Sequence, residues 1–317
     1  MNSSKWDEQK SQDWFYFIRA VQDFFLSKGF CPIETPILVE SPGTEPHLDF
    51  FSTIKKHNKL SQKKWLSASP EMNLKKILCR GGKNIFEIHK CFRNNESGSR
   101  HLSEFYMLEW YRANALLTEL MNDLENLLKY LKQKHIILFA LKPFQRLSIS
   151  ELFKTYCEVD LNPKSQAKDL IPALEKWNIP FDSSGTFEEF FHLLFLNKIE
   201  NQFVSDVPTI VQHYPPSLRA YSRLNHEGWA ERFEFYWQGL ELANAFYEIC
   251  DSQEQQKVFQ QDLQIRKDKG VEEVAVDQEF LLEMKDMPES SGIALGLERL
   301  FMAVSQKKDI SQIHPFS

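Results

Sequence analysis

Apolar residues recur at three- and four-residue intervals through Trp14, Phe17, Ile18, Val21, Phe24 and Phe25, until Gly29 interrupts the run. That period predicts an amphipathic helix over 14–28 with glycine as its stop. Residues 30–36 follow, with prolines on either side of Ile33, Glu34 and Thr35, and predict a short extended segment. Ser69-Pro70-Glu71 reads as a helix start, with Ser as N-cap and Pro in the first position. It leads into Leu74, Ile77 and Leu78 on one face, with Lys75 and Lys76 expected on a solvated face. Residues 85–93 and 104–111 have strand character on either side of a polar run, which predicts a hairpin with a long loop. Leucines from Leu116 to Leu131 predict a further amphipathic helix with a packing role alone. Two capping boxes, Ser148-x-x-Glu151 and Thr186-x-x-Glu189, each open an apolar-periodic run, so 148–203 is expected to be a helical insertion. Residues 233–239 alternate as a strand, and residues 292–297 form another that leads into a helix at Glu298. No repeat, linker or second-domain boundary is visible, and one domain spanning 1–317 is expected.

Several of these elements carry candidate chemistry. In the hairpin, Arg93 ends one strand where a guanidinium can grip a phosphate, while Glu96, Arg100, His101 and Glu104 lie in or beside the loop and Phe105 offers a ring to a base. A surface hairpin with a solvated charge cluster is the alternative. On the second strand Phe105, Met107, Glu109 and Tyr111 share a face, and a carboxylate on a face that looks buried needs a partner, either a structural Arg or a cationic ligand. In Glu241-Leu242-Ala243-Asn244-Ala245-Phe246-Tyr247-Glu248 two carboxylates and an amide suit a hard cation such as Mg²⁺ shared with phosphates. A spacing of seven puts the two Glu on opposite faces of a regular strand, so a strand here requires a bulge. Gly292, Ala294 and Gly296 share one strand face and leave a flat groove ahead of Arg299, which serves either a ligand or tight helix packing.

Composition narrows the classes. The 317 residues are 42% hydrophobic and 26% charged, with 26 Phe, as in a folded protein. A net charge of −6 argues against a protein built to grip a nucleic-acid backbone. Five cysteines without a CxxC pair suggest neither a disulfide framework nor a zinc ribbon, and fit a reducing cytoplasm. No signal-peptide core and no membrane-length apolar stretch is present, so a cytosolic protein is expected.

In this order the segments resemble the three signature motifs of class II aminoacyl-tRNA synthetases. The helix, Gly29 and the Pro36 segment are similar to the dimer-forming first motif. Phe92-Arg93 through Glu104-Phe105 is similar to the second, and 292–299 to the third. The resemblance implies an α+β fold, a mainly antiparallel sheet flanked by helices, and a homodimer. It implies that Arg93 holds the ATP α-phosphate, that Phe105 stacks on adenine, and that Arg299 lies across the other face of the base. Ser69-Pro70-Glu71, the stretch Phe105-Tyr106-Met107-Leu108-Glu109 and Glu241-Leu242-Ala243-Asn244 resemble the lysine and ATP segments of lysyl-tRNA synthetase. By that likeness Ser69, Glu71, Glu109, Tyr111, Asn244 and Glu248 serve the amino acid. The nucleotide falls to Arg93, Asn95, Glu96, His101, Phe105, Glu241, Leu242, Gly296 and Arg299, and Mg²⁺ to Glu241 and Glu248.

Almost nothing precedes the first motif, so no anticodon-reading domain is expected. This form resembles the elongation factor P lysine ligase family, which attaches (R)-β-lysine or lysine to a lysine side chain of elongation factor P. Glu109-Trp110-Tyr111-Arg112 and 291–296 are similar to that family. The resemblance implies an ATP-dependent ligase with a protein acceptor, and tRNA binding is not expected. The alternatives are a truncated lysyl-tRNA synthetase that charges tRNA, and an inactive paralogue serving as a binding subunit. The chain departs from the usual pattern at Asn95 and Glu96, where Glu normally comes one residue earlier. Leu102-Ser103 replace Asn-Pro, Ala245 replaces Gly, and Ala294 replaces a Gly of the lysyl-tRNA synthetases.

Overall fold

The computed structural model describes residues 7–58, 60–96, 98–203 and 206–313. The chain forms two compact units, Met1–Phe139 with Glu248–Ser317, and Ala140–Tyr247. No proline- or glycine-rich linker marks either crossing, which is why the sequence shows no boundary there.

The first unit opens with α1 (Glu8–Ser27), which begins earlier than the periodicity indicates because Asp7 caps it, its carboxylate accepting from the Lys10 N–H at 3.0 Å. Gly29 ends it with φ at +76°. Of the expected extended segment only β1 (Cys31–Pro32) pairs as a strand; after it Thr35 is held by its backbone N–H donating to the Glu87 carboxylate at 2.8 Å. Next come β2 (Leu38–Val39), β3 (Ser52–His57) and β4 (Leu60–Leu66), an antiparallel group in the order β2-β4-β3. Then follow α2 (Glu71–Cys79), the hairpin β5 (Asn84–Phe92) and β6 (Glu104–Ala113), and α3 (Leu117–Gln133).

The second unit contains β7 (Gln145–Ser148), α4 (Ile149–Cys157), α5 (Ala167–Lys176), α6 (Phe187–Leu194), β8 (Thr209–Tyr214), β9 (Ala230–Trp237) and β10 (Leu240–Tyr247). Both capping boxes are formed, Ser148 with Glu151 and Thr186 with Glu189, and they open α4 and α6 as the sequence indicates. Helices α4 to α6 share a core that includes Leu152, Phe153, Leu170, Leu174, Phe190 and Phe191. Strand β7 runs parallel to β8, and β8, β9 and β10 are successively antiparallel.

The chain then returns to the first unit with α7 (Ser252–Asp268), α8 (Gln278–Glu283), β11 (Ser290–Gly296) and α9 (Leu297–Ser305). There β1 is parallel to β5, while β5, β6 and β11 are antiparallel. Phe25 of α1 packs on this sheet, its ring 5.0 Å from those of both Phe86 and Trp110. At the end of β11, the buried Glu298 accepts from the Tyr106 N–H at 2.9 Å and fastens the start of α9 to β6. The α+β class and the mainly antiparallel strands are those expected from the sequence.

Candidate active site

Strands β6 and β11 build the floor of the site. Their register pairs Gly292 with Tyr111, Ala294 with Glu109 and Gly296 with Met107, so the small residues lie beside the face that carries the acid and the phenol. Gly292 is required by close approach: a Cβ there would overlap the Tyr111 ring and the Glu248 carboxylate.

Glu109 is 1% exposed, and its partners are hydroxyls. Ser69 Oγ donates to Oε1 at 2.6 Å and Tyr111 OH donates to Oε2 at 3.0 Å. Of the two partners left open by the sequence, no structural Arg takes the position among the described residues. Burial, with Glu71 adding to it, pushes the Glu109 carboxyl up to about 8. The same causes, burial first and then Glu109, Glu71 and Glu248, raise the Tyr111 phenol well above its ordinary value. Ser69 also accepts from the Glu71 N–H at 3.0 Å, so it caps α2 although the helix proper begins at Glu71 and not at Pro70.

Lys75 corrects the sequence reading. It is 1% exposed, and its ammonium is paired with Glu71 one turn earlier and with Glu248 Oε2 at 2.6 Å. Burial alone would lower its pKa, but Glu248 and Glu71 outweigh that and raise it. Lys76 is also buried, with Asp277 at 2.8 Å and Glu279 at 2.7 Å. The expectation of a solvated face failed because α2 is covered on that side as well, and carboxylates distant in sequence supply the counter-charges. Burial raises the Glu248 carboxyl, Lys75 opposes this, and Glu71 reinforces it. Glu248 Oε1 is buried without a hydrogen-bond partner among the described residues. Ser69, Glu71, Glu109, Tyr111 and Glu248 are thus brought together in one acidic cluster with Lys75 as its internal cation.

Beside it, the hairpin carries Arg93, Asn95, Glu96, His101 and Phe105, five of the residues expected to serve the nucleotide. The Arg93 guanidinium lies 5.3 Å from the centre of the Phe105 ring and 3.8 Å from the Glu96 carboxylate. Its Nε is buried and lacks a hydrogen-bond partner among the described residues, which suits an anion acceptor. Asn95 has φ at +59°, a conformation that Asn tolerates far better than Glu, which gives a backbone reason for the departure at that position. Its side chain donates to Asp49 at 2.6 Å. Ser103 closes the loop by donating to the Glu96 carbonyl at 2.8 Å. Arg299, in the first turn of α9, donates from Nε to the Arg100 carbonyl at 3.2 Å. The His101 pKa is lowered, first by burial and then by Arg299.

Glu241, Leu242 and Asn244 belong to the second unit. The bulge demanded by the spacing of the carboxylates is present, as a register shift in β10 between Glu241 and Ala243. Glu241 is exposed, Leu242 is buried, and Asn244 Oδ1 accepts from Arg232 Nε at 2.9 Å. The strand continues evenly through Ala245 with no kink after Asn244. Among the described residues no three His, Cys, Asp or Glu side chains form a metal cage.

Glu45 was missed. It lies in the irregular stretch between β2 and β3, within electrostatic reach of Glu71 and Arg93, and burial pushes its carboxyl up to about 7. Hydrophobic periodicity is silent on such a loop. The one available signal was the turn-forming Pro42-Gly43 immediately before it.

The fold and this arrangement of motifs define a class II synthetase, and the family model for tRNA synthetases class II (D, K and N) matches residues 14–317. An elongation factor P (R)-beta-lysine ligase from Haemophilus influenzae strain PittGG is 36% identical over 306 residues, covering 95% of this chain and 92% of the relative. The proteins of that name from Avibacterium paragallinarum and Pasteurella multocida strain Pm70 are 35% and 34% identical over 305 residues each, covering 95% and 94% of this chain and 92% of each relative. The chain belongs to the elongation factor P (R)-beta-lysine ligase family.

Proposed function

We propose that this protein is an ATP-dependent ligase that activates (R)-β-lysine or lysine as an adenylate and transfers it to a lysine side chain of elongation factor P. The observation that carries the reading is an imbalance of charge: Glu109 and Glu248 each lie within electrostatic reach of Glu71, and Lys75 is the cation that pairs directly with Glu71 and Glu248. A pocket of that kind is completed by a small molecule bearing two ammonium groups. Glu71 and Glu109 are assigned to the amino-acid end of the substrate, and Tyr111 and Glu248 to the distal ammonium.

The chemistry asks for positioning and electrostatics without a protein nucleophile. The substrate carboxylate attacks the α-phosphorus of ATP in line and pyrophosphate departs. Arg93 is assigned to the developing charge on the α-phosphate, and Phe105 and Arg299 to the base, with Asn95, Glu96, His101 and Gly296 lining the nucleotide. On β10, Glu241, Leu242 and Asn244 are assigned to the nucleotide and the amino acid, and Glu241 is the carboxylate best suited to Mg²⁺. When bound, that ion supplies charge neutralisation across the phosphates. The adenylate is then attacked by the neutral ε-amine of the acceptor lysine.

We also infer a homodimer working in the cytoplasm, with tRNA not an acceptor. Exposed Phe15 and Tyr16 on α1 support the dimer. Incubation with ATP, labelled lysine or (R)-β-lysine, and either elongation factor P or tRNA tests the whole reading. Label is expected on the protein acceptor, and label on tRNA alone overturns it. Absence of amino-acid-dependent ATP–pyrophosphate exchange would instead favour an inactive paralogue.

A further inference from the structure

The loop that carries Glu45 is held from below by its backbone. Arg266 of α7, itself 1% exposed, donates through Nη1 to the carbonyls of Glu45 at 2.9 Å and Leu48 at 2.8 Å, and through Nη2 to the Glu272 carbonyl at 2.8 Å. Its guanidinium lies 4.9 Å from the centre of the Phe50 ring. Thr44 donates to Asp262 at 2.9 Å. Gly43, with φ at +111°, leaves the space into which the Glu45 carboxylate folds, since a Cβ at 43 would overlap it. Within this fixed frame Glu45 Oε2 is buried and has no hydrogen-bond partner among the described residues. A desolvated carboxylate oxygen without a donor is costly, and such groups concentrate at functional sites.

The carboxylates of the acidic pocket are engaged: Glu71 and Glu248 with Lys75, and Glu109 with two hydroxyls. The charged groups facing Glu45 are Glu71 from α2, Asp262 and Arg266 from α7, and Arg93 from the residue after β5. In the ligase reading, on which this inference rests, Glu71 serves the amino acid and Arg93 the α-phosphate, so Glu45 lies within electrostatic reach of the residues assigned to both sides of the adenylate's reacting bond. We propose that Glu45 is the base that takes the proton from the acceptor lysine's ε-ammonium in the transfer step. One proton passes from the ammonium to Glu45 Oε2, and the freed lone pair forms the C–N bond at the adenylate carbonyl carbon. The C–O bond to AMP breaks with its electron pair going to the phosphate oxygen, and the second proton leaves the new amide nitrogen for the departing AMP. Burial first, then Glu71 and Asp262, push the Glu45 carboxyl up to about 7 against the pull of its own backbone N–H and of Arg93, which suits a base working near neutrality.

The test separates the two half-reactions in the full-length enzyme. Glu45→Gln is expected to keep ATP–pyrophosphate exchange with (R)-β-lysine within about 3-fold and to slow transfer to elongation factor P about 100-fold, within the usual range for loss of a general base. Wild-type transfer should rise with pH through about 7 and level off. Transfer by Glu45→Gln should climb on toward about pH 10 as free lysine amine accumulates. Hydroxylamine, a nucleophile already neutral at pH 7, should discharge the adenylate of both proteins at equal rates, and Glu45→Asp should restore part of the transfer. Unimpaired transfer by Glu45→Gln overturns the inference alone, as does a parallel loss of exchange, which would make Glu45 a substrate ligand. A wild type that exchanges pyrophosphate yet never labels elongation factor P overturns the ligase reading and this inference with it.

Discussion

At the scale of single residues, the acidic pocket is organised by desolvation. Glu109 has its pKa raised to about 8 from an ordinary value of 4.5, so the folded chain keeps a proton that the unfolded chain releases between those values. Its contribution to stability is therefore fully present below about pH 4.5 and is lost as pH rises through about 8. A cationic ligand favours the ionised form, so amino-acid binding at pH 7 should expel close to one proton. Calorimetry in two buffers of different ionisation enthalpy reads that number directly, and Glu109→Gln should release markedly less. Glu248→Gln removes a counter-charge from a buried pair and should weaken amino-acid binding by about 2–3 kcal/mol, roughly 30- to 150-fold, with ATP affinity little changed. Equal loss of both ligands, followed by fluorescence titration, would contradict the assignment. Glu109 and Tyr111 were legible because strand alternation puts them on one face. Glu45 was not, because an irregular loop has no period from which a face can be read.

At the scale of elements, the helices and the hairpin could be read wherever period and caps agree, as they do for α1, α4, α6 and the β5–β6 pair. Helix α2 shows where such reading ends. Leu74, Leu78 and the Glu71–Lys75 spacing are those of an ordinary surface helix, and nothing local signals that Glu248 will meet Lys75 from far along the chain. Glu279 and Asp277 cover Lys76 in the same manner. Lys75→Met should strand two buried carboxylates and cost about 3–5 kcal/mol of stability. The deficit should shrink as pH falls, because Glu248, whose carboxyl burial already raises, can then neutralise itself by protonation. Urea unfolding at pH 5.5 and pH 8 checks both the size and the sign, and a pH-independent loss would point to packing alone. The helices between β10 and β11 were not anticipated, since α7 is mostly polar and presents only Val258 and Phe259 as buried apolar residues.

At the scale of the molecule, fold class and family followed from the order of three motifs, none of which was specific alone. The division into two units was invisible, because Phe139–Ala140 and Tyr247–Glu248 are ordinary chain between structured elements. On the first unit, Phe15 and Tyr16 are 59% and 60% exposed on α1, and Ile37 and Leu38 are also exposed. Two aromatic rings so placed suit a second copy of the chain. Sedimentation should give about twice the 37.3 kDa of one chain, and Phe15→Glu combined with Tyr16→Glu should give the monomer mass. A wild type that sediments as a monomer at micromolar concentration would remove the dimer from the proposal.

The clasp that Arg266 forms on the Glu45 loop has its own consequence for how sequences like this one can diverge. It grips peptide oxygens, which every amino acid possesses, so positions 46 and 47 are open to wider exchange than Leu48, whose side chain packs on the core around Phe50 and Trp65, while the backbone path stays the same. A randomised library over that stretch should retain folded members in large numbers, whereas one at 266 should tolerate little beyond arginine. Sequence can therefore drift at positions 46 and 47 without moving the Glu45 carboxylate that the same backbone carries.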